Sequence, residues 1–338
     1  MCEEAMAMKK LIGIMLAVCM IVPLAAGCGK KEEPQPSGAA PTQTAVSTGR
    51  DPLNGSETIS EYKPVIAMID NSEAARPQEG IQAADIMYEC EVEGGITRLM
   101  GVWNSNMPDV IGPVRSARQY FTALASEYDG VFCHFGGPSE SGDKLNVYNY
   151  MERNDLFQAR CDGLTETEAY YRESSRSAPH NACLYTEKAR AMIDFTPTVR
   201  AFQFDSEVAL ANQAQEISLK FGGNLTYTYD SETQTYKRKV NGKEHRDSDT
   251  KKVVEVKNLI FQFTNYHDEN VNGQLADVAG GSGKIVYAIN GKYAEGTWSK
   301  DSVKAKTVYK DADGNEIVLQ PGNTWIHVVP TGTDITLK

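Results

Sequence analysis

Arg115 and Arg118 stand three residues apart just after Gly112-Pro113, where the sequence predicts a turn running into a helix. Residues at i and i+3 share a helix face, and the free N–H groups of a first helical turn already favour anions. Arg76, Arg98, Arg172 and Arg176 are close enough in sequence to join them. Such a group is suited to hold a carboxylate or a phosphate, for instance on a cell-wall fragment. The plainer expectation is that these arginines are spent on internal pairs with Asp85, Glu89, Glu91 and Glu93, since matched charges in an acidic domain usually pair structurally.

His134 and His180 are the histidines of the same region. With Asp85 or Glu89 they would supply general acid–base catalysis, which needs a group titrating near neutrality. The alternative is that both fix loops by hydrogen bonding. Cys90, Cys133, Cys161 and Cys183 also lie here. Cys90 and Cys133 alternate with apolar neighbours and read as small core residues. Cys183, three residues after His180, would make a thiol nucleophile only with a hydrogen-bond geometry that sequence proximity does not supply. There is no HExxH, paired CxxC, GxSxG, P-loop or dinucleotide fingerprint. No metal and no cofactor are expected.

The elements that must position these residues follow from hydrophobic periodicity. Pro64–Ile69 is an apolar run of strand length. Residues 83–93 and 96–103 flank Gly94-Gly95, a hairpin signal. Ile86, Tyr88, Cys90 and Val92 share one face of the first arm; Asp85, Met87, Glu89, Glu91 and Glu93 share the other. A two-residue loop there pairs Glu93 with Ile96, Glu91 with Arg98 and Glu89 with Met100. Ala117, Tyr120, Phe121, Leu124 and Tyr128 recur at helical spacing, predicting a helix over 114–128. A strand over 131–135 follows, either as a βαβ crossover or as an antiparallel return. A further short helix is predicted over 186–195, capped at Thr186.

Beyond residue 200 the pattern changes. Strand candidates recur at 217–221, 226–229, 236–240, 253–263, 283–289, 293–299, 307–309, 317–319 and 325–329, and only 206–216 looks helical. Asn241-Gly242 and Asn290-Gly291 are type I′ hairpin dipeptides. The expected fold is an α+β or α/β N-terminal domain with a mixed sheet over 61–200, then a β-rich C-terminal domain over 201–338.

The N-terminus sets the address. Lys9-Lys10 precedes an apolar run that ends in Leu24-Ala25-Ala26-Gly27-Cys28. The run is shorter than the ~20 residues of a spanning helix. It reads as a lipoprotein signal peptide over 1–27 with lipid carried on Cys28, and a start at Met6 or Met8 would leave a compact basic n-region. Residues 28–60, rich in Pro, Ser and Thr, are expected to be a disordered tether. The formal net charge is −11, which argues against a nucleic-acid partner.

Several segments together resemble the YerB-like family of bacterial lipoproteins. They are Arg76-Pro77-Gln78, Ala83–Glu89, Glu93–Arg98, Ile111–Arg118, His134–Gly137, Ala178–Asn181, Tyr236–Arg238 and Gly322–Ile326. The resemblance implies an N-terminal and a smaller C-terminal domain, both of unknown function, and carries over no catalytic residue. The combined expectation is a lipid-anchored protein on the extracytoplasmic face of the cell membrane. It would be a binding or scaffold protein of the cell envelope, with an anionic wall or small-molecule ligand held by Arg76, Arg98, Arg115, Arg118 and Arg176 and an envelope protein as a further partner. The alternative is an envelope hydrolase acting on wall polymer or peptide.

Overall fold

A computed structural model of the chain describes residues 49–338 except 59, 141, 143, 271 and 272. The expected signal peptide and lipid-bearing Cys28 lie outside the described residues, as does most of the expected tether. The body uses these strands: β1 (Val65–Asp70), β2 (Ile86–Glu91), β3 (Thr97–Trp103), β4 (Val131–His134), β5 (Ala159–Asp162), β6 (Glu216–Lys220), β7 (Asn224–Asp230), β8 (Thr235–Val240), β9 (Asn258–Thr264), β10 (Gly281–Ile289), β11 (Lys292–Lys300) and β12 (Thr324–Pro330). Three short helices accompany them: α1 (Gln119–Ala125), α2 (Val147–Arg153) and α3 (Thr186–Arg190). The protein is sheet-rich with few helices.

One eleven-stranded mixed sheet dominates. Its main order is β11-β10-β9-β12-β2-β3-β1-β4-β5, with the short strands Asn212–Gln213 and Val308–Lys310 both on β11. Strands from both halves of the chain therefore share one sheet, and β12 sits between β9 and β2, parallel to each. A second sheet of β8, β7 and β6, edged by Ile335–Leu337, packs on one face. Ile217, Leu225, Tyr227 and Tyr236 from it meet Val65, Met87, Leu99, Phe261 and Trp325 of the large sheet in one core. Helices α1 and α2 cover the other face, where Phe121, Leu124 and Met151 meet Ile66, Tyr88, Met100, Phe132 and Ile326. With both faces covered, β1 and β3 are buried at every position, as expected of central strands.

Both Asn-Gly turns form with positive φ at each central residue, 51° and 76° at Asn241-Gly242 and 55° and 70° at Asn290-Gly291. Four expectations are corrected. The β2–β3 loop has three residues, Glu93–Gly95, closed by the Val92 amide donating to the Ile96 carbonyl at 2.9 Å. Both glycines take positive φ, and the register moves by one, so Arg98 lies opposite Cys90 and Glu91 opposite Thr97. A one-residue slip turns a side chain to the other face, and Arg98 does not face Glu91. The expected 253–263 strand divides at Lys257: Glu255–Val256 pairs with β8 and β9 joins the large sheet. Residues 206–216 are not helical: Val208 and Leu210 pack toward the helix-side core and Ala214 toward the other, so the run crosses the sheet edge. The tether stops before residue 60, because Leu53 is in the core and the Asn54 amide nitrogen donates to Asp85 at 2.7 Å.

Candidate functional site

Strands β1, β2, β4, β5, β9 and β12 run in one direction, with β3 antiparallel between β1 and β2. Their C-terminal ends make one edge of the sheet, the usual side for ligands in open sheets with parallel strands. Asp70 ends β1, Glu91 ends β2, His134 ends β4 and Asp162 ends β5. Arg98 enters this edge at the start of β3, directly across from Asp70.

The segment 113–117 is extended here, which corrects the expected helix start. Pro113 accepts from the Asp70 amide (2.8 Å) and the Arg115 amide donates to Met68 (3.0 Å). On its other side Arg115 accepts from the Phe135 amide, and the Ala117 amide donates to Gly136, both at 3.0 Å. Backbone pairing on both sides outcompetes the helix until Gln119. Arg115 and Arg118 are thus not helical i, i+3 neighbours; an extra stretch of edge backbone brings them to the site.

Three arginines and His180 gather there around two carboxylates. Asp70 Oδ2 lies 2.7 Å from His180 Nδ1 and 3.2 Å from Arg115 Nε, while Oδ1 accepts from the Ser72 amide at 2.9 Å. Burial pushes the Asp70 carboxyl up, but the Ser72 amide, His180 and Arg115 outweigh it and hold it below the usual carboxylate value. Ser72 Oγ lies 3.1 Å from the same His180 Nδ1. The Ser72 hydroxyl and the Asp70 carboxylate thus share one imidazole nitrogen, unlike a relay that uses both. His180 Nε2 keeps no protein partner among the described residues, and its side chain is 28% exposed.

Arg118 forms a two-pronged pair with Glu93, with Nε at 3.2 Å from Oε2 and Nη2 bonded to Oε1. Arg98 differs. It is 4% exposed, and its Nη1 donates to the Ser116 carbonyl at 2.6 Å. Among the described residues no carboxylate lies within ion-pair distance of it. Burial, then Arg118 and Arg115 against the opposing pull of Glu93, brings its guanidinium down to about 10. The cluster holds three fixed positive charges against two negative ones, in a strongly acidic protein.

The other expected residues lie elsewhere or are saturated. Arg76 donates to the Asn71 backbone oxygen (2.7 Å) and side chain (3.2 Å). Arg176 is bonded to the Ala75 and Pro77 carbonyls, with Glu173 at 3.8 Å. His134 is buried, donates through Nδ1 to the Gly136 carbonyl (2.8 Å) and sits 3.9 Å from Asp162. Asp85 lies just before β2, at the opposite edge, accepting from the Asn104 and Ser105 amides at 2.7 and 3.0 Å. Burial raises the Cys183 thiol to about 11, far from a thiolate nucleophile. Cys90, Cys133, Cys161 and Cys183 are free thiols and buried.

Glu89 belongs to a sealed network that also contains residues not expected from the sequence. Arg238 Nη2 lies 2.9 Å and His327 Nδ1 3.1 Å from Glu89 Oε2, and Thr97 Oγ1 donates to Oε1 at 2.6 Å. Arg238 Nη1 donates to Tyr227 Oη (2.6 Å), leaving the phenol to donate to His327 Nε2 (2.9 Å). Arg238 Nε donates to His245 Nδ1 at 2.9 Å, which leaves His245 Nε2–H for Gln78 Oε1 at 2.6 Å. Gln78 in turn donates to the Asp70 carbonyl at 2.8 Å. The C-terminal half thus fixes the backbone that carries Asp70. The available sequence signal was Asp70 itself, a lone carboxylate closing an apolar strand.

Two family models match the chain: the N-terminal domain of a protein of unknown function, DUF3048, over residues 48–198, and its C-terminal domain over 217–326. A protein of Bacillus subtilis (strain 168) named "Putative lipoprotein YerB" is 29% identical over 96% of each chain. The crystal structure of the YerB protein from Bacillus subtilis superposes with a TM-score of 0.73 at 26% identity, covering 85% of this chain and 99% of that one.

Proposed function

The chain belongs to the YerB-like family with its two-part DUF3048 architecture, and from that premise we propose that it is an extracytoplasmic lipoprotein, anchored by lipid on Cys28, that binds an anionic group at Arg98, Arg115, Arg118 and His180. One observation carries the binding reading: Arg98 is nearly buried beside two other arginines, with a backbone carbonyl as its partner. A desolvated charge without a counter-ion is costly, and a carboxylate or phosphate would supply the missing one. In this reading residues 61–200 hold the ligand and residues 201–338 support it through the Arg238–His245–Gln78 chain.

Calorimetric titration of the full chain in lipid nanodiscs with inorganic phosphate and with acetate tests this. Saturable binding by one of the two also tells the sources apart. Arg98→Gln should weaken binding by about tenfold or more, as expected for a charge-assisted contact, with the melting temperature retained. Equal affinity in the variant overturns the site. The anchor is tested separately: Cys28→Ala should release the protein from membranes, and retention through a carbonate wash would refute it.

A second reading has one observation in its favour. The Asp70–His180 pair with an open Nε2 is arranged as a general base that could activate water. Wall peptides incubated with the same protein would then yield cleaved products that His180→Ala abolishes; intact peptides leave the binding reading.

A further inference from the structure

A cleft of about 530 Å³ opens beside the arginine cluster, reached through the consecutive residues Arg118-Gln119-Tyr120. Its volume falls in the usual range of small-molecule sites. The half-buried Tyr150 and Phe263 give it aromatic walls, backed by the buried rings of Tyr120 and Trp298, while Asn265, Ser282 and Thr331 contribute an amide and two hydroxyls, Thr331 Oγ1 donating to Asn265 Oδ1 at 3.1 Å. Its two charged side chains are already engaged: His267 holds Asp277 at 2.8 Å and Glu295 holds Lys284 at 2.9 Å. Part of the lining is bare backbone from Gly280, Gly281 and Gly283. A Cβ at Gly283 would come within 2.5 Å of Trp298 Nε1 and 2.6 Å of the Phe263 carbonyl, so glycine is what lets the indole lie there and bond Phe263.

We propose that this cleft is a sugar-binding site for a neutral pyranose unit. Aromatic faces suit the apolar C–H faces of a sugar ring, and the amide and hydroxyls suit its alcohols. A hydrocarbon ligand would leave the Asn265 amide N–H groups and the Ser282 hydroxyl without partners, and a strongly charged one would meet no free counter-charge. The site is independent of the anion site, none of whose residues lines it.

The test is calorimetry of the full chain in nanodiscs with N,N′-diacetylchitobiose, an uncharged disaccharide. Binding is expected. Tyr150→Ala should raise Kd by about tenfold, as loss of an aromatic anchor does. Ser282→Trp, which places bulk at an exposed lining position, should abolish binding with an unchanged melting temperature. Arg98→Gln should leave this disaccharide's affinity unchanged, which separates the sugar site from the anion site. No binding of the disaccharide by a folded chain, equal affinity in both cleft variants, or stronger binding of a plain hydrocarbon would overturn the proposal.

Discussion

Of the three arginines buried among the described residues, Arg200 pairs with Glu127 at 2.8 Å, while Arg98 and Arg238 are set in opposite surroundings. Arg238 is enclosed by Glu89, Tyr227 and His245, each of its nitrogens having a partner on the small-sheet side of the large sheet. Arg98 lies at the strand-end edge with one carbonyl and two neighbouring arginines. Burial alone therefore does not tell a structural charge from a functional one. What separates them is saturation: the first network closes on itself, and the second is left with surplus positive charge.

Breaking the closed network should have the largest effect. Arg238→Ala leaves Glu89 buried with one hydrogen-bonding cation removed, a class of change that costs about 3–5 kcal/mol. A loss this large, measured by denaturant unfolding, should come with weaker anion binding, because His245 and Gln78 no longer hold the Asp70 backbone. Arg98→Gln should have a much smaller effect on stability, within about 1 kcal/mol, since it removes a charge that faces like charges. If the two variants lost equal stability, the distinction between closed and open arginines would fail.

Acid should sharpen the contrast. Burial, then Arg238 and Arg76, holds the His245 imidazole well below 6.5, and burial also lowers His327 despite Glu89. Below pH 6.5 the unfolded chain takes up protons that these folded histidines refuse. Their stabilising contribution is therefore present above 6.5 and is lost as the pH falls from there. The slope is up to about 1.4 kcal/mol per pH unit for each histidine. Glu89 follows the same sign in a more acidic window: burial raises its carboxyl, but Arg238 and His327 hold it well below the usual carboxylate range. A melting temperature that is flat between pH 7 and pH 5 would contradict the neutral tautomers assigned to the network.

Much of the sheet was legible because strand periodicity and the Asn-Gly turns are local signals. The apolar spacing of Ala117, Tyr120, Phe121, Leu124 and Tyr128 also correctly marks one buried face. The first turn of that expected helix fails because β1 and residues 135–136 compete for its backbone, a pairing that no local pattern encodes. The register of β2 on β3 turns on one extra loop residue. At the site, Arg98, Arg115, Arg118 and His180 were visible by type. Asp70 and Ser72 were not, and neither were the distant Arg238, His245 and His327. Their roles depend on a strand from the far end of the chain meeting β2, which only the tertiary fold brings about.

That meeting has a consequence for how the molecule is made. Strand β12 (Thr324–Pro330), synthesised long after β2, fills the gap between β2 and β9 in the middle of the large sheet. Until it arrives, β2 and β9 each present an open edge, and such edges template wrong pairings between chains. The nascent protein thus cannot finish its central sheet stepwise from the N-terminus. It must stay unfinished until Pro330 has been made, so a chain truncated before residue 324 should aggregate rather than fold to a smaller version of itself.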